Sequence, residues 1–218
     1  MKTLIVSATD FELARIRAYC DKEDIGEIDF CVSGVGTVAT SFSLTRTLST
    51  SNIYNLLINV GICGSFTREL ELGQVVEVGT EIFTDLGIEG DKGFVPLSGS
   101  KLLDRNAHPY KEGLLINTHP QFGDLTNVLG STSDVCHTNY SSIDRIVNIF
   151  NPDTESMEGA AFFYVAKHFD TPFAQVRAVS NYVGERDKSK WKIDEAVEAV
   201  SAYVIDYLAS IYTAGSLS

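Results

Sequence analysis

The segment Leu56-Leu57-Ile58-Asn59-Val60 decides the fold class of this chain, because it is an apolar run that ends in Gly61-Ile62-Cys63-Gly64-Ser65. A strand of a parallel sheet is covered on both faces, so its sequence is nearly continuously apolar. We therefore predict a buried parallel strand over residues 56–60. Residues Phe173 to Val179 also predict a buried strand.

Predicted strands and helices alternate on both sides of this segment, which is typical of an α/β protein. The predicted strands cover residues 4–6, 28–32, 56–60, 75–78, 81–84, 114–116, 133–136 and 173–179. Apolar residues at helical spacing predict helices after residue 10 and over residues 38–48, 159–169 and 193–211. Residues 86–110 are irregular and predict a long loop, of the kind that carries function.

The chain shows no break in composition and no internal repeat, which indicates one domain. We expect a single-domain, three-layer α/β/α structure with a central mixed sheet over residues 1–213. Residues 214–218 are expected to form a frayed tail.

The charge balance excludes two classes of partner. The chain has 17 basic and 29 acidic residues, a net charge of −12. Binding to nucleic acid or to an anionic membrane needs clustered Lys and Arg, so neither is expected. No run approaches the roughly 18 apolar residues of a membrane span. The apolar run before Asp10 is too short for a signal peptide, so we expect a cytoplasmic protein.

The sequence favours neither a metal nor a dinucleotide cofactor. Its four cysteines are far apart and lack metal-ligand spacing, which is typical of reduced cysteines: Cys20, Cys31, Cys63 and Cys136. Gly34 to Ala39 matches the G-x-G-x-x-G/A pattern after a strand. A dinucleotide site also needs an acidic residue at the end of the next strand, and Ile58 to Gly61 has none. We therefore interpret residues 34–36 as a tight turn beside a substrate.

Three polar side chains follow predicted strands, at the edge where open α/β sheets bind ligands. Glu12 follows the first strand, and Asn181 follows the last. Glu158 lies just before an apolar helix, where an unpaired carboxylate would be costly. These three residues are the first candidates for a functional site.

Four segments carry a resemblance to a known family: Ser33-Gly34-Val35-Gly36, Asn59 to Gly64, Met157-Glu158-Gly159-Ala160 and Arg177 to Asn181. Over nearly its whole length the chain resembles the nucleoside phosphorylase/nucleosidase superfamily. The extension from Asn181 to Asp187, leading to Trp191, is similar to the futalosine hydrolases, relatives of methylthioadenosine/S-adenosylhomocysteine nucleosidase. The resemblance implies a nucleoside phosphorylase-like fold and a small purine nucleoside as substrate, without cofactor or metal.

The implied reaction is hydrolysis of the N-glycosidic bond of futalosine, with release of hypoxanthine, in the futalosine route to menaquinone. Such cleavage builds positive charge on the ribose and negative charge on the departing base. By resemblance, Glu12 is the catalytic carboxylate that activates water, and Glu158 grips the ribose 2′ and 3′ hydroxyls. Met157 packs against the sugar, and Asn181 is the catalytic residue that meets the charge on the base.

Two asparagines indicate which base is released and which nucleophile attacks. Relatives that cleave adenine nucleosides place Asp where this chain has Asn181. An amide carries both a donor and an acceptor, so Asn181 favours a 6-oxopurine such as hypoxanthine. Phosphorylases of the superfamily tend to place Arg where this chain has Asn59, so water is favoured over phosphate. Arg15 and Arg17 remain other sources of a phosphate contact.

The base-binding side is less well defined. Gly64 and His137 are also expected to bind substrate. Adenosine-type nucleosidases carry a stacking aromatic in the segment that is Ser133 to His137 here, and Cys136 stacks poorly. The candidates for the stacking group stay open: His137, Tyr182, Trp191 and Phe94.

The alternative functions are methylthioadenosine/S-adenosylhomocysteine nucleosidase, purine nucleoside phosphorylase and a non-catalytic nucleoside-binding protein. Glu12 favours an enzyme, since binding alone does not require it. Because relatives complete their pockets with a neighbouring subunit, we expect a homo-oligomer, with a dimer as the commonest arrangement. Contacts are expected from residues 61–67 and from the loop near Phe94.

Overall fold

The computed structural model describes residues 1–50, 53–91, 93–119 and 122–212. The predicted domain limit at residue 213 and the frayed tail at residues 214–218 lie outside the described residues. The strands are β1 (Thr3–Ser7), β2 (Ile28–Val32), β3 (Leu56–Ser65), β4 (Val75–Phe83), β5 (Gly87–Gly90), β6 (Gly93–Pro96), β7 (Leu115–Ile116), β8 (Thr126–Thr132), β9 (Thr154–Ser156) and β10 (Phe173–Tyr182). The helices are α1 (Asp10–Lys22), α2 (Thr37–Thr50), α3 (Tyr140–Phe150), α4 (Gly159–His168) and α5 (Ile193–Tyr212).

The central sheet is mixed, as predicted. β2, β1, β3 and β10 run parallel, and β4, β8 and β9 are parallel to one another. β10 pairs antiparallel with β4, and β9 pairs antiparallel with β3. The strands β3, β10, β4, β8 and β9 therefore close into a ring, from which β1 and β2 extend as an open edge.

Helices cover both faces of the sheet, which confirms the three-layer prediction. On one face, Leu13 and Ile16 of α1 and Val200 of α5 pack in one core with Ile5 and Ile58. On the other face, apolar residues of α2 and α4 form a second core with β1 and β3: Leu4, Val6, Leu44, Leu48, Leu57, Phe162 and Phe163. A third cluster joins Cys63, Val76, Val128 and Val179 of the ring.

The strand β3 creates the opening for a site. Its first half pairs with β1 up to Asn59, and its last two residues, Gly64 and Ser65, pair with β9. Among the described residues, no strand pairs with residues 60–63 on that side. The end of β1, the start of α1 and the end of β9 therefore meet around this gap.

Several predicted elements differ from the structure. The predicted strands 75–78 and 81–84 are one strand, in which Gly79 lies at an irregularity of the pairing with β8 between Val78 and Thr80. The strand predicted at residues 133–136 is wrong, since β8 ends at Thr132 and a bent segment follows. The predicted loop 86–110 contains the β5–β6 hairpin. Residues 61–65 lie inside the sheet, so this part of the expected subunit contact is largely covered.

Candidate active site

A cavity of about 310 Å³ lies at the gap along β3. Its wall contains five of the six expected site residues: Glu12, Gly64, Met157, Glu158 and Asn181. The sixth, His137, is not part of the wall. Three larger cavities, of about 680, 480 and 410 Å³, contain none of the six residues. We therefore take the smaller cavity as the candidate active site.

Glu12 is held in place by the start of α1. Thr9 is the N-cap residue, and Glu12 is the third residue of the helix, so the two form a capping box. The Oε2 atom of Glu12 accepts hydrogen bonds from Ser7 Oγ at 3.0 Å, Thr9 N at 3.1 Å and Thr9 Oγ at 2.7 Å. Oε1 has no hydrogen-bond partner among the described residues. The carboxylate is thus fixed through one oxygen and open at the other.

Arg177 of β10 pairs with Gly61 of β3 and is only 2% exposed. An ideal Cβ on Gly61 would lie 3.0 Å from Glu12 Oε1 and 3.4 Å from the Arg177 Nη1 atom. Because Gly61 has no side chain, the Glu12 carboxylate and the Arg177 guanidinium both fit beside it. Arg177 belongs to one of the segments that carry the family resemblance, but the sequence alone does not indicate a role for it.

A chain of buried hydrogen bonds extends from Arg177 into the core. Arg177 Nη1 donates to Asn59 Oδ1 at 3.3 Å, and Asn59 Nδ2 donates to Gln175 Oε1 at 3.0 Å. Gln175 Nε2 donates to Glu81 Oε1 at 2.6 Å. Burial raises the pKa of Glu81 to about 7, against the hydrogen bonds from Thr132 and Gln175 that lower it. Asn59 is thus buried and accepts a hydrogen bond from Arg177, and the inference that the absence of arginine here favours water as nucleophile stays a prediction.

Glu158 precedes α4 and faces the Gly34 to Gly36 turn. Its Oε1 atom accepts a hydrogen bond from Gly36 N at 3.0 Å. Gly36 has φ +90°, a conformation that favours glycine, so the turn that presents this N–H depends on the residue type. Burial raises the pKa of the Glu158 carboxyl above its usual range, while Gly36 N–H and Arg177 oppose that rise.

The turn at residues 34–37 is occupied by protein carboxylates. Beside the bond from Gly36 N to Glu158, Thr37 N and Thr37 Oγ each donate to Asp134 at 2.7 Å. The donors that would hold a phosphate in a dinucleotide fold are therefore used by two acidic side chains here. This geometry agrees with the interpretation of a tight turn beside a substrate.

Asn181 has a defined amide orientation. Its Oδ1 atom accepts from Ser180 Oγ at 2.8 Å, and Nδ2 donates to the Tyr182 carbonyl at 3.3 Å. Nδ2 also lies 3.3 Å from the ideal Cβ position of Gly64, from which Val183 Cγ2 lies 3.0 Å, and Asn181 lines the cavity. An amide nitrogen carries two hydrogens, and the second one is available to a ligand.

His137 contacts Glu155, which lines the cavity and was missed by sequence reasoning. The His137 main-chain N–H donates to Glu155 Oε1 at 3.2 Å, and its ring Nδ1 makes a short hydrogen bond with Glu155 Oε2. Both side chains are buried. The only sequence signal for Glu155 is its place three residues before Glu158.

Of the four candidates for base stacking, only Trp191 lines the cavity. Phe11, which was not predicted, also lines it. Tyr182 is held by a hydrogen bond to the Leu70 carbonyl and by the Arg68 guanidinium over its ring. Phe94 packs against Phe150 near the β5–β6 hairpin. The indole of Trp191 is oriented by a hydrogen bond from Nε1 to the Glu185 carbonyl.

Comparison with known families assigns the chain. The model of the phosphorylase superfamily matches residues 25–209. The chain belongs to the phosphorylase superfamily. This family membership confirms the resemblance seen in the sequence.

Two proteins named futalosine hydrolase are similar in sequence. The one from Thermus thermophilus is 28% identical over 180 residues, which cover 81% of this chain and 79% of that protein. The one from Streptomyces coelicolor is 29% identical over 153 residues, which cover 68% and 63% of the two chains. A 5′-methylthioadenosine/S-adenosylhomocysteine nucleosidase from Marinomonas is 26% identical over 210 residues, covering 86% and 89%.

Solved structures share the fold. A 5′-methylthioadenosine/S-adenosylhomocysteine nucleosidase from Neisseria meningitidis, in complex with methylthio-immucillin-A, superimposes with a TM-score of 0.77 and 16% identity. The match covers 97% of this chain and all of that one. An S-adenosylhomocysteine nucleosidase from Streptococcus pyogenes gives a TM-score of 0.75 and 19% identity, with 97% of each chain covered. These matches confirm the nucleoside phosphorylase-like fold.

Proposed function

We propose that this chain hydrolyses the N-glycosidic bond of futalosine and releases hypoxanthine, as a step in the futalosine route to menaquinone. The chain is an N-glycosyl hydrolase of the nucleosidase type. The observation that carries the choice of futalosine is the amide of Asn181, whose free donor faces the cavity that also contains Glu12 and Glu158. The similarity to two proteins named futalosine hydrolase supports the same choice.

The nucleophile is a water molecule at the free Oε1 of Glu12. As its oxygen bonds to the anomeric carbon, Glu12 Oε1 takes one of its protons. The bond from the anomeric carbon to the purine nitrogen breaks, and its electron pair leaves with the base. The proton that Glu12 has taken passes through solvent water to the departing base, so water is added across the bond and Glu12 returns to its carboxylate form.

Two further groups act on the substrate. Glu158, which keeps one oxygen on Gly36 N, accepts hydrogen bonds from the ribose hydroxyls with the other. Asn181 Nδ2 donates to the purine at O6 or N7, where negative charge develops during cleavage. Because Ser180 fixes the amide oxygen, the group presented to the base is a donor, which suits a 6-oxopurine better than a 6-amino one.

Hydrolysis is supported over phosphorolysis by where the arginines lie. Arg15 and Arg17 form exposed ion pairs with Glu198 and Asp10 at 3.2 and 3.1 Å. Arg177 is buried and bound to Asn59 and the Val176 carbonyl. None of these three guanidinium groups lines the cavity, so none offers the bidentate contact that an attacking phosphate needs.

A substrate panel tests this proposal. Wild-type protein is incubated with futalosine, inosine and methylthioadenosine, with and without inorganic phosphate, and free hypoxanthine or adenine is measured. We expect phosphate-independent release of hypoxanthine from futalosine as the fastest reaction. Faster release of adenine from methylthioadenosine would favour the alternative nucleosidase. A requirement for phosphate would favour a phosphorylase, and no base release would favour a nucleoside-binding protein.

We also propose a homodimer as the working state. A groove of about 680 Å³ is lined by α2 and α4 side chains, and Val38 and Phe42 on α2 are 78% and 64% exposed. Apolar patches of this kind are typical of subunit contacts. Sedimentation tests the proposal, since a single 23.8 kDa species at micromolar concentration would contradict it.

The cytoplasm is the proposed location. All four cysteines are free thiols in the structure, which agrees with a reducing compartment. In the part of the chain that the structure describes, no helix is long and apolar enough to cross a membrane. Localisation of a tagged full-length protein by cell fractionation tests this proposal.

A further inference from the structure

Glu155 is a buried carboxylate in the cavity wall that the mechanism does not use. Its side chain is 7% exposed, and its hydrogen bonds in the described structure come from His137 alone. Each carboxylate oxygen has two acceptor positions, and His137 fills one on each. Glu155 is therefore fixed in orientation and can still accept a hydrogen bond from a ligand in the cavity.

The strand register places Glu155 opposite Asn181. Gly64 of β3 pairs with Glu155 of β9 on one side and with Asn181 of β10 on the other. Residues that pair directly across strands point to the same face of a sheet. Two strand spacings separate the Cα atoms of Glu155 and Asn181 by about 10 Å. Both side chains line the cavity, one on each side of Gly64, so a base bound there can contact both.

The two side chains offer opposite chemistry to that base. Asn181 presents an N–H donor, because Ser180 holds its oxygen. Glu155 presents an acceptor. A 6-oxopurine carries an acceptor at O6 and N7 and a donor at N1–H, in adjacent positions on one edge. Adenine carries an amino donor at position 6 and a lone pair at N1, so the Asn181 donor would meet a second donor at position 6 and the Glu155 acceptor a second acceptor at N1.

We propose that Glu155 accepts a hydrogen bond from N1–H of the 6-oxopurine and that His137 positions Glu155 for this contact. This inference rests on the proposed function and makes base selection a property of two residues, Glu155 and Asn181. It also assigns His137 a role behind the cavity wall, where it holds both oxygens of Glu155 without touching the base.

Binding of free bases tests the proposal without catalysis. Isothermal calorimetry is run with hypoxanthine, 1-methylhypoxanthine and adenine on wild type, Glu155→Gln and the exposed control Glu198→Gln. In wild type, hypoxanthine is expected to bind at least tenfold more tightly than 1-methylhypoxanthine, which lacks the N1–H. In Glu155→Gln, the His137 main-chain N–H keeps the amide oxygen, so the NH₂ group faces the base. The preference for hypoxanthine over adenine is then expected to fall at least tenfold, and the control should not change it.

Turnover of futalosine gives a second readout. The N1–H contact exists before and during bond cleavage, so Glu155→Gln is expected to raise KM more than it lowers kcat. His137→Gln is expected to act in the same direction, because it loosens Glu155. A purely structural role would instead lower kcat and the thermal midpoint together and leave the ratio of base affinities unchanged.

The outcomes separate the two proposals. If wild type prefers hypoxanthine but binds 1-methylhypoxanthine equally well, the role of Glu155 is wrong and the proposed function stands. If wild type prefers adenine, the proposed function is wrong and the role of Glu155 is wrong with it. The wild-type comparison of the two hypoxanthines needs no variant, so it decides the matter even if Glu155→Gln fails to fold.

Discussion

Replacing Gly61 by alanine places one methyl group between the two charged side chains beneath the cavity. The new Cβ would lie 3.0 Å from Glu12 Oε1, 3.4 Å from Arg177 Nη1 and 3.5 Å from Arg177 Cζ. The first distance is tighter than ordinary van der Waals contact, so Glu12 or the strand must move by a few tenths of an ångström. Glu12 is held by three hydrogen bonds on Oε2 and Arg177 by three on Nη1, so neither yields freely.

The expected effect on catalysis follows from this displacement. A misplacement of about 1 Å can cost about 100-fold in rate, so a few tenths of an ångström is expected to cost roughly tenfold in kcat. Overpacking at a buried site typically lowers stability by about 1–3 kcal/mol, which leaves the fold intact. The assay is hypoxanthine release from saturating futalosine, with the thermal midpoint measured on the same samples.

Gly26→Ala is the matched control, because no atom lies within 4 Å of its ideal Cβ and its φ is not positive. It is expected to keep wild-type kcat. If Gly61→Ala also keeps kcat within twofold of wild type, the close approach of Glu12 and Arg177 at Gly61 has no part in catalysis.

Three other predictions concern specificity, pH and packing. Asn181→Asp is expected to shift the kcat/KM ratio of inosine to adenosine at least tenfold toward adenosine, because a carboxylate repels O6 and accepts from a 6-amino group; an unchanged ratio, with both rates lower, would leave Asn181 a structural role only. Glu81 has a raised pKa of about 7 in the folded protein, so the folded state binds more protons than the unfolded state between about pH 4.5 and 7. The contribution of Glu81 to the free energy of unfolding therefore falls as pH rises through that window. The difference in unfolding free energy between wild type and Glu81→Gln should change with pH in that window and be constant above it. A difference independent of pH would show that Glu81 titrates normally. Phe162→Ala removes a fully buried ring between α4 and the sheet and is expected to lower stability by about 3–5 kcal/mol in urea unfolding, whereas a loss below about 1 kcal/mol would contradict the packing described.

The elements that the sequence predicts well are those with a strong local pattern. β3 and β10 are rich in apolar residues and buried along most of their length, and α5 repeats apolar residues at helical period, so their burial patterns define them. β8 starts with two exposed polar residues, Thr126 and Asn127, so the start of this strand carries no apolar pattern. The sequence instead predicts a strand at residues 133–136, directly after the end of β8. Closure of the ring depends on pairing between distant segments, which no local pattern contains.

The helix α3 was missed although its sequence carries a usable signal. Asn139 caps it through a hydrogen bond from Ser141 N, and Ile143, Ile146 and Phe150 follow at helical spacing. The cap and the spacing together predict a helix that begins just after Asn139.

The residues of the candidate site also divide into those that the sequence could indicate and those that it could not. Glu12 and Glu158 follow strands β1 and β9, and Asn181 is the next-to-last residue of β10, so all three lie near strand ends and the sequence could indicate them. Arg177 and Glu155 lie within strands, where polar residues usually face solvent. Their roles depend on which neighbours the sheet register gives them, Gly61 for Arg177 and Gly64 for Glu155.

The most direct test of the central claim is the turnover of futalosine by Glu12→Gln. Hypoxanthine release and substrate affinity are measured on the same preparations, with Glu23→Gln as a control at the exposed end of α1. Because an amide cannot take a proton from water, we expect turnover to fall by about 100-fold to 10,000-fold while the dissociation constant changes only a few-fold. Near-wild-type turnover of Glu12→Gln would contradict the assignment of Glu12 as the base and the mechanism built on it.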